Sequence, residues 1–406
     1  MPRLTSFLGL WVLIALAWLL SSHKSRVSLR LIASGVLLQL VFALLVLKTG
    51  PGRAVFDRFN DGFHLLLSFV RAGSDFVFGD LLEKHPNVFA FSVLPSIIFF
   101  SALMSLLYHF GVMQRLVQAM GVVMQRTMGT SGAESLSTAA NIFVGPTEAP
   151  LVIRPYLHEL TESELMAVMV GGFATVAGGV MAAYVQMGID AGHLATASVI
   201  SAPAALVISK VMQPEVGQPQ TLGRARLDVQ QPAVNVLEAI TMGATDGLKL
   251  ALNVAAMLIA FLAMLAMLKH AIAWTGSCFG YHWSLDALLG YCFAPLAWLI
   301  GVETKDCLDV GELLGLRMAA NEFLAYERLA EWAKPDSTVH LSARSHTLAT
   351  YALCGFANFG SIGVTIGGIG LLVPERQADL ARLGLRAMLG GTLACSMTAC
   401  IAGILV

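Results

Sequence analysis

The sequence predicts an all-α polytopic membrane protein. Of its 406 residues, 56% are hydrophobic and 13% are charged, and the mean hydropathy is +0.73, well above that of an average soluble domain. Runs with few or no charges recur along the chain, each long enough to cross roughly 30 Å of hydrocarbon at about 1.5 Å per residue. Two other regions are too apolar for loops and too interrupted for spans, which indicates re-entrant hairpins.

The uncharged runs predict eight transmembrane helices. They lie near residues 4–21, 31–48, 88–107, 163–189, 194–212, 248–268, 346–373 and 387–406. No A-x-A-like cleavage site follows the first run, so we interpret it as a retained helix and not as a signal peptide. Between the second and third runs, residues 50–85 alternate charged side chains with Phe and Leu. This mixture is typical of an amphipathic helix at the membrane interface.

The basic residues predict the orientation of the chain. The 22–30 loop holds Lys24, Arg26 and Arg30 and no acidic residue, which places it inside and the N-terminus outside. Threading the eight spans alternately then puts two further basic groups inside, namely Lys210, Arg224 and Arg226, and Arg376, Arg382 and Arg386. The net charge of −1 gives no reason to expect a nucleic-acid partner.

The order of the elements repeats along the chain. Residues 126–156 and 306–332 are the two predicted hairpins, and each precedes a span that contains Gly-Phe-Ala, at 172–174 and at 355–357. An odd number of spans per repeat would invert the second copy, a plan that recurs in secondary transporters. We expect scaffold helices with an interfacial helix (1–107), a first transport repeat with hairpin 1 (108–213), a loop and scaffold helix (214–270), and a second transport repeat with hairpin 2 (271–406).

The first hairpin region carries a helix break with a carboxylate in it, residues 141–150. Gly145-Pro146 suits the end of one helix and the start of another, which would place Thr147 and Glu148 in the first helical turn. Glu148 and Glu322 lie among apolar residues, where a carboxylate is costly unless it is paired, hydrated or bound to a ligand. A structural ion pair, or a hairpin end that reaches headgroup water, is the alternative to a binding role.

Two further segments carry polar groups in apolar surroundings. Asn358 and Ser361 are spaced i, i+3 and share a helix face, whereas Phe356 joins them only if the helix unwinds near Gly355 or Gly360. The alternative is a packing surface of small residues. Unwound carbonyls near 171–180, the Thr175 hydroxyl and the Asn141 amide could form an all-oxygen site for a small hard cation, although packing alone also explains that stretch.

Enzymatic and metal-site motifs are absent from the sequence. There is no Walker A spacing, no zincin pair, no Gly-x-Ser-x-Gly elbow and no Cys-x-x-Cys pair among the six cysteines. The ten histidines are scattered. We therefore do not expect an enzyme.

With these motifs in order, the chain resembles the concentrative nucleoside transporters from about residue 50 onward. The matching stretches are GPTEAP at 145–150, SAPA at 201–204, DGLKLALN at 246–253, NEF at 321–323 and GFANF at 355–359. The resemblance implies a homotrimer whose protomers each move a transport domain against a scaffold domain by an elevator motion.

The resemblance also implies roles for individual residues. Thr147, Glu148 and Val180 would contact the nucleobase, with Gly145 in the same substrate-binding set. Glu322, Asn358 and Ser361 would hold the ribose hydroxyls, with Phe356 lining the pocket. Sodium would be bound by Asn141, Val144, Thr175 and Val176. One departure concerns base selectivity, because Pro146 stands where the family usually has glutamine.

The expected function is therefore sodium-coupled nucleoside symport across a bacterial inner membrane, with membrane lipid around the protein. A proton-coupled nucleoside carrier, with Glu148 or Glu322 as the titrating group, is the closest alternative. A membrane-embedded enzyme and a passive channel are the others. The preferred base, the ion stoichiometry and the conformational state stay open.

Overall fold

The computed structural model describes residues 2–81, 88–222, 233–281 and 283–406. Helices dominate these residues, as the hydropathy predicts. The helices of the first half are α1 Pro2–Leu19, the 3-10 turn Lys24–Arg26, α2 Leu29–Lys48, α3 Gly50–Phe78, the single turn Phe89–Ser92, α4 Leu94–His109, α5 Val112–Met128, α6 Gly132–Ala140, the 3-10 helix Ala149–Glu159, α7 Glu162–Ala174, α8 Gly178–Gln186 and α9 Ala191–Met212.

The second half continues in the same way. Its helices are α10 Val236–Cys278, α11 Leu285–Leu299, the 3-10 turn Thr304–Asp306, α12 Cys307–Ala319, α13 Glu322–Trp332, α14 Ala343–Leu353, α15 Phe359–Leu372, the 3-10 turn Pro374–Arg376 and α16 Gln377–Leu405. Residues 50–78 of the stretch expected to lie at the interface form α3, whose place at the membrane interface stays a prediction, and residues 82–85 of that stretch lie outside the described residues.

Six segments among the described residues are long and apolar enough to cross a membrane. They are Pro2–Leu19, Leu29–Lys48, Glu162–Gln186, Ala191–Met212, Val236–Cys278 and Pro374–Leu405. Counting α4 and α5 as one broken span would make seven, although the two helices bend by 77° at their junction. The eight-helix count of the sequence therefore stays a prediction, because the runs 88–107 and 346–373 correspond to a shorter helix and to a broken one.

Two predicted spans are interrupted. The run 163–189 divides into α7 and α8 around an unwound segment at 175–177, and the run 346–373 divides into α14 and α15 around 354–358. The run 248–268 is instead only part of the 43-residue helix α10, about 65 Å long at about 1.5 Å per residue. The long helix α16 packs against α1, α7, α9, α14 and α15, and so lies at the centre of the fold.

Hydrogen bonds at the helix ends place the predicted inner loops together. The Arg386 guanidinium donates to the carbonyls of Leu20 (3.0 Å) and Met212 (3.0 Å), and Arg382 pairs with Glu162 at 2.7 Å. The loop after α1, the end of α9 and the start of α16 therefore share one end of the molecule. Arg224 and Arg226, which the sequence assigns to the same side, lie outside the described residues.

The opposite end is held by another arginine. Arg344 donates to the Gly301 carbonyl (3.1 Å), the Ser6 hydroxyl (3.1 Å) and the Gly403 carbonyl (2.7 Å). Because Ser6 and Leu20 lie at opposite ends of α1, the two arginine clusters mark the two ends of the bundle.

Lys210 is buried, although the sequence predicts it to be one of the basic residues on the inner side. Its side chain is only 7% exposed and its ammonium contacts Glu134 (2.6 Å) and Glu215 (3.2 Å) and the Ser163 hydroxyl (2.9 Å). A charge that leaves water needs such partners. Lys210 therefore lies at the predicted end of the molecule, but inside the protein, where it ties α9 to the base of α6.

Candidate functional site

The tip that follows α6 differs from the predicted helix start. Residues 141–148 form turns, and the next helix, a 3-10 helix, begins only at Ala149. The prediction that Thr147 and Glu148 lie in a first helical turn is therefore wrong, and Glu148 occupies the position just before the helix. A carbonyl of the tip, that of Phe143, accepts a hydrogen bond from the Gly178 amide at 3.0 Å, which fastens the tip to the break between α7 and α8.

Asn141 is buried between the tip and α7. Its amide nitrogen donates to the Ser137 carbonyl at 3.1 Å, while its Oδ1 has no hydrogen-bond partner within the described residues. The side chain lies so close to Gly171 that a Cβ there would be 3.1 Å from Nδ2. A buried amide oxygen with no donor is costly, and a bound cation would satisfy it.

The other predicted cation ligands surround the same break. Thr175 and Val176 are buried in the unwound segment, and Val144 is half-buried at the tip. The Thr175 hydroxyl donates to the Gly171 carbonyl at 2.9 Å, so its lone pairs stay available as acceptors. Within the described residues no cluster of His, Cys, Asp or Glu could hold a metal ion. The donors at this break are neutral oxygens, which suit an alkali cation better than a transition metal.

The structure brings together three residues predicted to hold the ribose. Asn358 begins α15, where its Oδ1 accepts from the Ser361 amide at 2.8 Å. Its Nδ2 donates to a Glu322 carboxylate oxygen at 3.1 Å. Glu322 is 5% exposed and lies in the first turn of α13. The helix break between α14 and α15 therefore brings the Asn358 amide, with Ser361 bound to it, against the Glu322 carboxylate at the start of α13.

Tyr184 completes this cluster, and the sequence analysis missed it. Its hydroxyl donates to the other Glu322 oxygen at 3.0 Å, and its ring lies 4.4 Å from the ring of Tyr326. Tyr184 is one helical turn beyond Val180, which is also buried. The i, i+4 spacing could have identified it, since residues at that spacing share a face.

The two helix breaks meet each other. The Cys395 thiol, on α16, donates to the Cys354 carbonyl (3.3 Å) and more weakly to the Ala174 carbonyl (3.7 Å). A Cβ on Gly355 would lie 2.6 Å from the Phe173 carbonyl oxygen, so only glycine allows this approach. Phe356 follows in the break and is half-buried.

The residues predicted to contact the base are more dispersed. Thr147 packs against Gly368 of α15, where an added Cβ would come within 3.1 Å of the Thr147 Cβ. Glu148 is exposed, whereas Gly145 is buried in the tip. Within the described residues the side-chain hydrogen-bond partners of Glu322 are Tyr184 and Asn358, and neither lies on the tip that carries Glu148. The structure therefore assembles the predicted ribose side more closely than the predicted base side.

Family models cover most of the chain. The model for the Na+-dependent nucleoside transporter N-terminus matches residues 8–81, the nucleoside recognition (Gate) model matches 90–191, and the Na+-dependent nucleoside transporter C-terminus model matches 193–403. These matches cover both hairpin regions, α7, α8 and the later break.

Several known proteins are similar to the chain. Solute carrier family 28 member 3 of Eptatretus stoutii is 46% identical over 98% of this chain and 60% of its own length. Human sodium/nucleoside cotransporter 1 is 43% identical over 99% of the chain and 64% of its own length. An uncharacterized transporter of Haemophilus influenzae is 44% identical over 100% of the chain and 98% of its own length. The chain thus spans about 60% of the length of the first of these relatives.

Solved structures of transporters are also similar to the chain. CNTnw in an inward-facing substrate-bound state is 43% identical and covers 100% of this chain and 98% of that one, with a TM-score of 0.94. A CNTnw double variant in an outward-facing state gives 0.95 at 42% identity, over 100% and 98% of the two chains. The relatives named here are transporters and not enzymes. The resemblance seen in the sequence is confirmed, and the chain belongs to the family of Na+-dependent, concentrative nucleoside transporters.

Proposed function

We propose that the protein is a sodium-coupled nucleoside symporter. The observation that carries the proposal is the convergence of Glu322, Asn358 and Tyr184 beside a helix break, inside an apolar membrane fold. A buried carboxylate that is held by two neutral donors and has no cationic partner within 4.0 Å among the described residues is suited to accept hydrogen bonds from a neutral polyol.

The ribose side follows from the acceptor capacity of this carboxylate. An ionised carboxylate offers about four lone-pair sites, of which the two donors use one on each oxygen. Two sites remain for sugar hydroxyls, and hydrogen bonds to a charged acceptor are stronger than neutral ones. Asn358 and Ser361 flank the same point, so they would hold the remaining hydroxyls, with Phe356 covering the sugar.

The base side would be formed by the tip after α6 and by α8. Gly145, Thr147 and Glu148 lie on the tip and Val180 lies on α8, which is joined to the ribose side through Tyr184. Because Glu148 is exposed in this arrangement, a base that reached it would displace water from a carboxylate. Because the Glu148 carboxylate is a hydrogen-bond acceptor, replacing its water by a base would favour bases that carry N–H donors.

Sodium is proposed as the transported ion. Asn141 and Thr175 would supply side-chain oxygens, and Val144 and Val176 backbone carbonyls. The unpartnered oxygen of Asn141 is what makes these residues fit a cation. Ion binding would order the tip that also contacts the base, so sodium should raise nucleoside affinity and nucleoside should raise sodium affinity by the same factor.

The membrane topology, the transport motion and the oligomeric state are also proposals. We propose eight transmembrane helices, two re-entrant hairpins in inverted repeats, an interfacial helix, and an elevator motion of the two transport repeats against the scaffold helices. Two observations support the entry of the hairpins from opposite ends: hairpin 1 is tied by Glu134 to the end of the molecule that holds Met212, whereas hairpin 2 begins beside Gly301 and Arg344 at the other end. The homotrimer and the location in a bacterial inner membrane are proposed from the family.

Membrane lipid is proposed to surround the bundle. A groove of about 530 Å³ between α1 and α11 is lined mainly by apolar side chains such as Trp11 and Trp298. None of its lining residues belongs to the helix breaks, so it suits an acyl chain and not the transported solute.

Uptake into proteoliposomes tests the function. An inward sodium gradient is expected to drive accumulation of uridine or adenosine, recovered chemically unchanged, while a proton gradient alone is not. The Asn141→Ala variant should lose the sodium stimulation, because it removes the unpartnered oxygen. If no gradient drives uptake, the protein is not this transporter. If only protons drive it, the sodium assignment is wrong, and chemical conversion of the substrate would indicate an enzyme.

Base selectivity provides a second prediction. Pro146 packs against Gly172, where an added Cβ would lie 2.6 Å from the Pro146 Cβ, and proline offers no side-chain hydrogen bond. Pro146→Gln adds an amide that can donate and accept, so it should change the ranking of uridine, cytidine and adenosine by more than it changes total uptake. Competition among the three nucleosides measures the ranking. An unaltered ranking would remove residue 146 from the base site.

A further inference from the structure

Arg317 is the most deeply buried arginine of the described chain. It is 1% exposed and lies in the last turn of α12, five residues before Glu322. Within the described residues no carboxylate lies within 4.0 Å of its guanidinium. A charged group that is taken out of water without a close counter-charge must be compensated in another way. The position of Arg317 therefore calls for an explanation.

The Arg317 charge is compensated by the C-terminal end of helix α14. The Arg317 Nη1 donates to the Ala352 carbonyl, which lies in the last turn of α14, just before the break at 354–358. Carbonyls of a last helical turn lack partners within the helix, and they carry the negative end of its dipole. The Arg317 charge also interacts electrostatically with the Cys395 thiol and with the Glu322 carboxylate. The guanidinium therefore contacts the last turn of α14, and its charge also stabilises the Glu322 carboxylate.

The break between α7 and α8 is arranged in the same way, but the side chain that faces the helix end is an asparagine. There Asn141, from the end of α6, lies against Gly171 and Gly172 in the last turn of α7. Each hairpin therefore presents a polar side chain to the carbonyl end of the helix that breaks after it. Asn141 is neutral and its oxygen has no partner among the described residues, whereas Arg317 brings its own positive charge.

We propose that the Arg317 guanidinium supplies a permanent positive charge at the break between α14 and α15. A dissociable sodium ion supplies that charge at the break between α7 and α8. The inference rests on the proposed function, and it makes Arg317 a positioning residue for Glu322 and for the carbonyl end of α14. The ribose side is then preformed in the absence of ions. Ion dependence resides in hairpin 1 and the base side alone.

Uridine binding to the purified protein, measured by titration calorimetry in sodium, tests this role. Arg317→Ala should weaken binding by roughly tenfold or more, the size of one lost charge-assisted hydrogen bond. Added guanidinium ion should restore much of that affinity, because it refills the cavity with the same charge. Arg317→Lys should keep most of the affinity without any addition.

A second readout separates this role from simple support of the fold. Stabilisation by sodium against thermal unfolding, with no nucleoside present, should survive in Arg317→Ala and be lost in Asn141→Ala. Arg115→Ala removes an exposed arginine and should show wild-type binding, with no response to guanidinium.

The contrary outcomes are distinct. Wild-type affinity in Arg317→Ala overturns the inference, and so does a loss that neither guanidinium nor lysine restores. If Arg317→Ala does not fold, a folded Arg317→Lys that fails to bind uridine overturns it equally. Absence of uridine binding by the wild-type protein would contradict the proposed function itself, whereas binding that is intact in every variant would contradict only the role of Arg317.

Discussion

Replacing Glu322 with glutamine is expected to lower the uptake of uridine, cytidine and adenosine alike by roughly 10- to 100-fold. A hydrogen bond to a charged acceptor contributes about 1.5–3 kcal/mol, and about 1.4 kcal/mol corresponds to a factor of ten. The ribose is common to all three substrates, so the loss should not depend on the base. Initial uptake rates in proteoliposomes under one sodium gradient measure it.

The geometry explains why glutamine is a poor substitute despite its size. The carboxylate accepts from Tyr184 on one oxygen and from the Asn358 amide on the other. An amide has one acceptor oxygen and one donor nitrogen, so the new NH2 group would face a donor unless Tyr184 reverses its role. Glu322→Gln therefore removes the charge and disturbs the two groups that orient it.

Glu327→Gln is the matched control. Glu327 lies on the same helix, α13, but is exposed, and its substitution should leave uptake within about twofold of wild type, as is usual for exposed positions. A loss in Glu322→Gln that is confined to one class of base would place Glu322 on the base side. Unchanged uptake of all three nucleosides would remove Glu322 from the site.

Lys210→Met is expected to destabilise the protein by about 3–5 kcal/mol, the range found when one partner of a buried ion pair is removed. Its ammonium is 2.6 Å from Glu134, which is only 1% exposed. Glu134 in turn accepts from the Ser131 amide at 2.7 Å, and the Ser131 hydroxyl donates to buried Glu164 at 2.6 Å. Without the ammonium, the buried carboxylates of Glu134 and Glu164 and the partly buried one of Glu215 would lie close together with no cation between them.

Thermal unfolding in detergent measures this effect. The double variant Lys210→Met/Glu134→Gln should recover much of the lost stability, because the buried negative charge disappears with its partner. Lys249→Met is the control, since Lys249 is 70% exposed and its one ion pair within the described residues is with exposed Asp246. Exposed pairs contribute about 0–1 kcal/mol. A midpoint for Lys210→Met that matches the control would contradict the buried network.

Some features of the site could be predicted from the sequence and others could not. Spacing alone related Asn358 to Ser361. The condition that Phe356 join them required unwinding near Gly355 or Gly360, and the structure is unwound at 354–358, which includes Gly355 and not Gly360. The same reasoning failed at the tip after α6, where Gly145-Pro146 predicted a helix start three residues too early. Proline permits a first helical turn but does not require one, and here the bond between Phe143 and Gly178 holds the tip in turns.

What the sequence by itself determined is the class of the protein and the family to which it belongs. Hydropathy, helix length and motif order are properties of short segments, so the apolar helices and the two carboxylates stand out without any coordinates. Only the tertiary structure shows which charged residues are buried and which groups they contact. Lys210 and Arg317 lie in the interior, and Tyr184 reaches Glu322 across 138 residues of chain. The cost of a charge depends on its distance from water and from opposite charge, and those distances exist only when distant segments meet.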